Sequence, residues 1–286
     1  MAGRRTRRRR SFPGKIALLA VLILSAVLFF RWDNTALQVT ETTVSLANLP
    51  AGFDGCRLAV LSDLHGAEFG EDNADLFAAV LQAKPDYIFY LGDLEDRYRG
   101  PVPGYAETVA AGLAAIAPTY YVTGNHEWAI GDVPQLKERL RENGVTVLSN
   151  QFVPLERNGD VIILAGIDDP NGYADQETPE ELAAEVYAAC GEDAFWILLA
   201  HRNDHFPGQY SLLGADLVLS GHGHGGMIRL PGTDGLISTD RTLFPSYTAG
   251  LYYENGSTLF VTRGLGNSGP SFRLFNRPEV AMVTLA

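Results

Sequence analysis

Residues 57–65 read Arg-Leu-Ala-Val-Leu-Ser-Asp-Leu-His, and residues 87–93 read Tyr-Ile-Phe-Tyr-Leu-Gly-Asp. Each is a short apolar run that stops at an acidic residue. Consecutive apolar side chains without polar alternation mark a strand buried on both faces. Such runs recur at 119–122, 161–165, 196–200 and 217–219, and helical segments lie among them near 73–83, 105–117, 133–143 and 179–189. Apolar strands separated by helices imply βαβ units and a largely buried sheet. The last third has fewer helices and more hairpin signals, Gly225-Gly226, Pro231-Gly232 and Asn255-Gly256, which predict a second, more antiparallel sheet. Upstream, 39–46 alternates apolar and polar residues as an outer strand does. No internal repeat or long linker interrupts the body, so one α/β domain from about residue 50 onward is the economical reading.

The chemistry-bearing residues gather at the ends of these runs. Five of the six histidines, His65, His126, His201, His205, His222 and His224, lie just after an apolar strand. Carboxyl ends of strands are where ligand sites assemble in open α/β sheets. Asp63 and His65, spaced i, i+2 at a strand end, are expected to share one face, with Leu64 on the other. His222-Gly223-His224 repeats the device, backed by Gly225 and Gly226, which permit a tight turn. Asp93, Asn125 and His201 end other strands. Imidazole with carboxylate and one amide oxygen suits manganese, zinc or iron, whereas thiolate-preferring metals would want cysteine.

In order, Asp63-Leu64-His65, Gly92-Asp93, Gly124-Asn125-His126-Glu127, His201 and Gly221-His222-Gly223-His224-Gly225-Gly226 resemble the signature of the calcineurin-like metallophosphoesterases, from about Arg57 to the C-terminus. The Gly-His-x-His-Gly-Gly ending, with Arg263-Gly264-Leu265-Gly266 through Arg273 to Arg277-Pro278-Glu279, is most similar to the membrane-associated branch of UDP-2,3-diacylglucosamine pyrophosphatase-type enzymes. The resemblance implies an α/β fold of two packed mixed β-sheets flanked by helices. It also implies a pair of divalent metals bridged by Asp93: one held by Asp63, His65, Asp93 and His224, the other by Asp93, Asn125, His201 and His222. A metal-bridging hydroxide would attack phosphorus, and His126 would stabilise the phosphoryl group or protonate the leaving group. The sequence departs from the commoner pattern at Gly223 (often Thr), Met227 (often Gln) and Arg202-Asn203 (often Asn-Pro). None removes a ligand, and all bear on substrate choice. Arg202 and Arg263 are the candidate substrate contacts, a solvated surface position and a structural turn being their respective alternatives. His205 matches no motif. Asp168-Asp169 is either a pair orienting a ligand imidazole or a turn former, and Glu127, Glu95 and Asp96 read as exposed acids.

Ahead of the body, 16–30 is uninterruptedly apolar and follows seven cations (Arg4, Arg5, Arg7, Arg8, Arg9, Arg10 and Lys15). Fifteen helical residues span roughly 22 Å against a hydrocarbon core of about 30 Å, so length leaves anchor and signal peptide both open. Phe29, Phe30, Arg31 and Trp32 stand where a small-x-small cleavage site would sit, which favours a retained anchor. Arg9-Arg10-Ser11-Phe12 loosely resembles a twin-arginine export signal. The expected segments are 1–15 basic and cytoplasmic, 16–32 a transmembrane anchor or uncleaved signal, and 33–286 the metallophosphoesterase domain on the far side of the cell membrane. After residue 15 the chain holds 15 basic against 34 acidic residues, a net charge of −19 that disfavours nucleic acid as a partner. Cys56 and Cys190 are too few and too far apart for a zinc knuckle; they either pair or are two buried thiols.

These readings converge on a monomeric, membrane-anchored hydrolase of a phosphoester or pyrophosphate bond in an envelope lipid or nucleotide-linked lipid precursor. UDP-linked precursors are cytoplasmic while the domain is expected to face outward. The alternative is therefore a broad cell-surface phosphodiesterase or phosphomonoesterase, and after it a non-catalytic metal-binding module.

Overall fold

A computed structural model of the chain describes residues 12–230, 233–239, 241–269 and 271–286. The arginine run with its export-like motif, and the hairpin signal Pro231-Gly232, lie outside the described residues. Helix α1 (Phe12–Thr35) leads into β1 (Gln38–Val44). There follow β2 (Arg57–Leu61), α2 (Ala74–Ala83), β3 (Tyr87–Tyr90), α3 (Tyr105–Ala114), β4 (Thr119–Tyr121), α4 (Asn125–Ile130), α5 (Val133–Glu142) and β5 (Thr146–Val147). The second half holds β6 (Gln151–Arg157), β7 (Asp160–Gly166), α6 (Pro179–Cys190), β8 (Trp196–Arg202), β9 (Leu217–Gly221), β10 (Gly250–Glu254), β11 (Ser257–Val261) and β12 (Glu279–Leu285).

Two six-stranded sheets result, ordered β1-β12-β2-β3-β4-β5 and β10-β11-β9-β8-β7-β6. Their alternating side chains explain why the apolar runs are unbroken. In β2, Leu58 and Val60 pack between the sheets while Ala59 and Leu61 pack with residues of α2, α3 and α5. In β8, Ile197 and Leu199 enter the inter-sheet core, and Trp196, Leu198 and Ala200 join Leu182 and Val186 of α6. Each central strand therefore feeds two cores, leaving no face for polar residues. Helix α6 starts where the sequence provides a capping box: the Thr178 hydroxyl accepts from the Glu181 amide (3.2 Å), and the Glu181 carboxylate accepts from the Thr178 amide (2.9 Å).

Four expectations are corrected. The second sheet is the more antiparallel, with two antiparallel pairings to the first sheet's one, but it starts at Gln151, well before the last third, and is parallel at its centre: β7, β8, β9 and β11 run together, and antiparallel pairing is confined to β6 and β10 at the edges. Gly225-Gly226 belongs to a 3-10 turn after β9 instead of a hairpin, whereas Asn255-Gly256 does join β10 to β11. Helix α1 has 24 residues, roughly 36 Å, so its length exceeds the hydrocarbon thickness that the apolar run alone falls short of. Both cysteines are free, but only Cys56 is buried, its thiol pushed up to about 12 chiefly by burial; Cys190 is exposed on the last turn of α6.

Candidate metal centre

The parallel strands of both sheets deliver their carboxyl ends to one edge. Asp63 and His65 follow β2, Asp93 follows β3, Asn125 opens α4 after β4, His201 lies in β8, and His222 and His224 follow β9. The i, i+2 reading of Asp63 and His65 assumed extended backbone. In the structure both are left-handed, at φ 56 and 51, and Asp93, His222 and His224 share that region at φ 54, 64 and 46. Non-glycine residues held there cost of order 1 kcal/mol each, and such strain concentrates at functional sites. The turns are held by long-range backbone bonds, from the Asp63 amide to Gly92 O (3.0 Å) and from the His65 amide to Asp93 O (3.0 Å). At β8 a register irregularity between Leu199 and Arg202 re-aims His201 off the ladder.

Seven of the expected side chains meet. Asp63 Oδ1, His65 Nε2 and His224 Nε2 face one another, His65 to His224 at 3.1 Å, His224 to Asp63 at 3.4 Å and His65 to Asp63 at 3.9 Å. Beside them, His201 Nε2 lies 3.1 Å from His222 Nδ1 and 3.2 Å from Asn125 Oδ1. Asp93 Oδ2 touches both groups, 3.6 Å from His65 Nε2 and 3.4 Å from His201 Nε2. Each aspartate has one oxygen tied by a backbone amide, Asp63 Oδ2 by His222 (3.1 Å) and Asp93 Oδ1 by His126 (2.8 Å). The other oxygen is turned inward, and Asp63 Oδ1 is buried without any hydrogen-bond partner. An uncompensated buried carboxylate oxygen among converging imidazole nitrogens is a donor set for a cation. Ligands roughly 2.1 Å from one ion lie about 3.0–3.4 Å apart, near the separations seen here.

Burial holds His65, His222 and His224 below the usual imidazole range, aided at His222 by His201 and the Arg202 guanidinium and at His224 by the Arg273 guanidinium. Neutral rings offer the lone pairs a metal needs. Those guanidiniums stand behind the rings, Arg202 Nη1 3.4 Å from His222 Nε2 and Arg273 Nη2 3.3 Å from His224 Nδ1. His201 differs: burial opposes its charge, but the Asp93 carboxylate outweighs that and raises the ring to about 10, with Nδ1 donating to the Leu91 carbonyl oxygen (2.6 Å), so a cation at Nε2 would displace the second ring proton. Burial opposes ionisation of Asp93, but His201 and the neighbouring rings outweigh it and hold the carboxyl well below its usual range.

Around this centre the structure assigns places that the sequence pattern left open. Glu127, Glu95 and Asp96, expected as exposed acids, are buried. Glu127 accepts from four backbone amides, Asp93 (3.0 Å), Leu94 (2.7 Å), Glu95 (3.2 Å) and Gly124 (2.8 Å), so it ties the loop after β3 to the start of α4. His126 turns Nε2 toward the centre, 4.0 Å from Asp93 Oδ2, and holds Nδ1 3.1 Å from Asp96 Oδ1 and 3.1 Å from the Arg97 amide. Arg202 is anchored to Asp169 Oδ2 at 2.9 Å, so Asp169 orients a cation and no imidazole. Asp168 holds Lys137 (2.6 Å) and the Thr123 hydroxyl (2.7 Å). Arg263 is bonded to Glu279 (2.9 Å) and Gln38 (3.3 Å), a structural engagement. His205 pairs with Gln209 outside the cluster. A cavity of about 440 Å³ opens beside His222 and Arg202. Sequence reasoning missed exposed Arg97 and Tyr98 beside His126, and Ser268, whose Oγ lies 3.3 Å from His126 Nε2. No motif flags them, because long-range loop packing brings them there.

Gly124 shows how tightly the turns fit. A Cβ on it would run into the Asp93 carboxylate, whose Cγ would be 2.9 Å away. Gly124→Ala is therefore expected to displace Asp93 and lower turnover about 100-fold while leaving the fold intact, measured as kcat alongside the melting temperature.

Comparison with known proteins locates this arrangement. The calcineurin-like phosphoesterase family matches residues 56–226, which include all seven convergent side chains. The chain is 29% identical over 279 residues to a transmembrane protein with metallophosphoesterase domain from Danio rerio, covering 94% of this chain and 62% of that protein. It is 28% identical over 278 residues to the uncharacterized metallophosphoesterase YkoQ of Bacillus subtilis, covering 92% and 96%. Among solved structures, the sulfate thiohydrolase SoxB of Thermus thermophilus superposes with a TM-score of 0.50 at 14% identity, over 76% of this chain and 53% of that one, a likeness of fold. The chain thus spans less than two thirds of the length of the Danio rerio relative and nearly all of YkoQ.

Proposed function

The chain belongs to the calcineurin-like phosphoesterase family and is a metal-dependent phosphoester hydrolase, and from that premise we propose that it cleaves a phosphodiester or pyrophosphate bond in an envelope lipid or nucleotide-linked lipid precursor while anchored by α1 in the cell membrane. The observation that carries the hydrolytic reading is the pair of inward carboxylate oxygens, Asp63 Oδ1 and Asp93 Oδ2, ringed by imidazole nitrogens. Asp63, His65, Asp93 and His224 would hold one divalent cation, and Asp93, Asn125, His201 and His222 a second. Manganese, zinc and iron all suit these donors. Bound there, such ions would lower the pKa of water toward about 7 and neutralise charge on the phosphoryl oxygens.

The protein's own groups do the rest. Asp63 and Asp93 are fixed by backbone amides, so the donor atoms need no rearrangement when the site fills. His126 Nε2 would meet the phosphoryl group, donating to a non-bridging oxygen or passing its proton to the leaving oxygen, with Nδ1 fixed by the Arg97 amide beside Asp96. Arg202, held by Asp169 at the edge of the cavity beside His222, would meet a second phosphate or a carboxylate of the leaving group. Arg263, whose guanidinium engages Glu279 and Gln38, is the second candidate for that contact.

The lipid part is supported by α1, of which Gly14–Thr35 is long and apolar enough to cross a bilayer, and by relatives whose names include a transmembrane region. The test is hydrolysis of aryl phosphodiesters, aryl phosphomonoesters and UDP-diacylglucosamine by the detergent-solubilised full chain with manganese. Turnover of diesters or the pyrophosphate is expected; activity confined to monoesters would overturn the substrate reading and favour a surface phosphomonoesterase.

A further inference from the structure

Five exposed rings surround the foot of α1: Phe29, Phe30 and Trp32 on the helix, and Phe272 and Phe275 on the loop before β12, each between 38% and 50% exposed. We propose that they form a collar seated in the headgroup and acyl boundary of the bilayer, so that the mouth of the metal centre opens at the lipid surface. The inference rests on reading α1 as a membrane anchor.

The loop's burial pattern inverts what water would select. Arg273 and Asn276 are fully buried, while the phenyl rings on either side, Phe272 and Phe275, face outward. These rings continue the apolar surface of the helix: Phe29 packs on Phe275 and Phe30 on Phe272, both with centroids 5.5 Å apart. Continuity sets the depth. From Phe12 to Trp32 α1 rises roughly 30 Å, so with Lys15 snorkelling to the near boundary the end of the helix reaches the far boundary of a hydrocarbon core of about 30 Å, and rings packed on it share that level. Trp32 and the guanidinium of Arg277, stacked 4.5 Å from its ring, have the amphipathic character of side chains at that boundary. Apolar seating is also the mode the charge allows, since a body of net −19 is repelled by anionic headgroups.

The collar is wired to the centre. Asn34 of α1 accepts from the Arg273 amide (2.7 Å) and donates to the Arg273 carbonyl (2.9 Å), and the guanidinium of the same Arg273 stands against His224. A few residues earlier in that loop, Ser268 reaches His126 and the Gly269 amide bonds Asp96. Tyr98 and exposed Arg97 complete this rim. A substrate suited to this placement is an amphipathic phosphoester whose apolar part stays in the leaflet while its headgroup phosphate meets His126.

The test is fluorescence quenching of the full chain in nanodiscs of phosphatidylcholine brominated on the acyl chains, a readout that needs no catalysis. The Trp32→Phe variant sets the background, and Phe275→Trp and, separately, Phe272→Trp are added to it as reporters. Tyr253→Trp, on exposed β10, is the control. Both loop reporters are expected to be quenched at least about twofold relative to unbrominated lipid, as rings buried a few ångströms below the headgroups are, with the control unchanged. Quenching of wild-type Trp32 without quenching at either loop position would overturn the collar and leave the anchor standing. Absence of quenching at all three would overturn the anchor reading with it.

Discussion

Asp93→Asn is expected to lower turnover of an aryl phosphodiester by on the order of a thousandfold and to cost bound metal. The reason is the position of a single atom. Asp93 Oδ2 lies 3.6 Å from His65 Nε2 and 3.4 Å from His201 Nε2, so it is the one carboxylate oxygen common to both donor groups. An amide there keeps the volume and removes the charge. Two cations brought together without a shared anion repel each other, and the metal-binding equilibrium and the reaction fail together. The checks are kcat with excess manganese and metal content after gel filtration. A variant within tenfold of wild type would mean that Asp93 has no bridging part.

The second large effect concerns stability. Glu127→Ala would strand four backbone donors, the amides of Asp93, Leu94, Glu95 and Gly124, in a region where Glu127 itself is almost fully buried. An unsatisfied buried donor costs about 1 kcal/mol or more, so a loss of roughly 4 kcal/mol is expected if no water enters. Burial, followed by the Asp93 charge, pushes the Glu127 carboxyl up to about 7 even though the amides favour the ionised form. Glu127→Gln retains an acceptor of the same shape and should lose about half as much. Urea denaturation of the detergent-solubilised full chain reads both, and an unchanged midpoint in Glu127→Ala would show that these four bonds contribute nothing net.

Glu127 also marks where the sequence stops being legible. Its motif neighbours Asn125 and His126 stand out because metal ligands need particular atoms, and the apolar runs ahead of them stand out because a strand between two cores has no polar face. By contrast, Glu127 as a four-amide acceptor depends on the loop after β3 lying against α4, a contact between segments some thirty positions apart. The left-handed turns at Asp63, His65, Asp93, His222 and His224 were hidden for the same reason. Asp and His enter that region more readily than most side chains, but nothing in the local sequence demands it, and tertiary bonds impose it. The parallel strands β7, β8 and β9 are legible as apolar runs, but their place in the second sheet is not, and the link from β8 to β9 carries just a 3-10 turn, Tyr210–Leu212, where a full crossover helix is the usual signal. At Arg263 the sequence shows a cation beside a glycine-rich loop, and its ion pair with Glu279, sixteen positions away, is visible only in the fold.

Asp63, His65, Asp93, Asn125, His201, His222 and His224 are proposed to form one centre for two divalent cations. This is tested most directly by metal content: the full chain is stripped with chelator, reconstituted with manganese, passed through a desalting column and assayed by mass spectrometry, beside Asp93→Asn. Two equivalents of metal per chain are expected in the wild type and less than one in the variant. Retention of no metal by the wild type, or equal retention by both proteins, would contradict the two-cation centre.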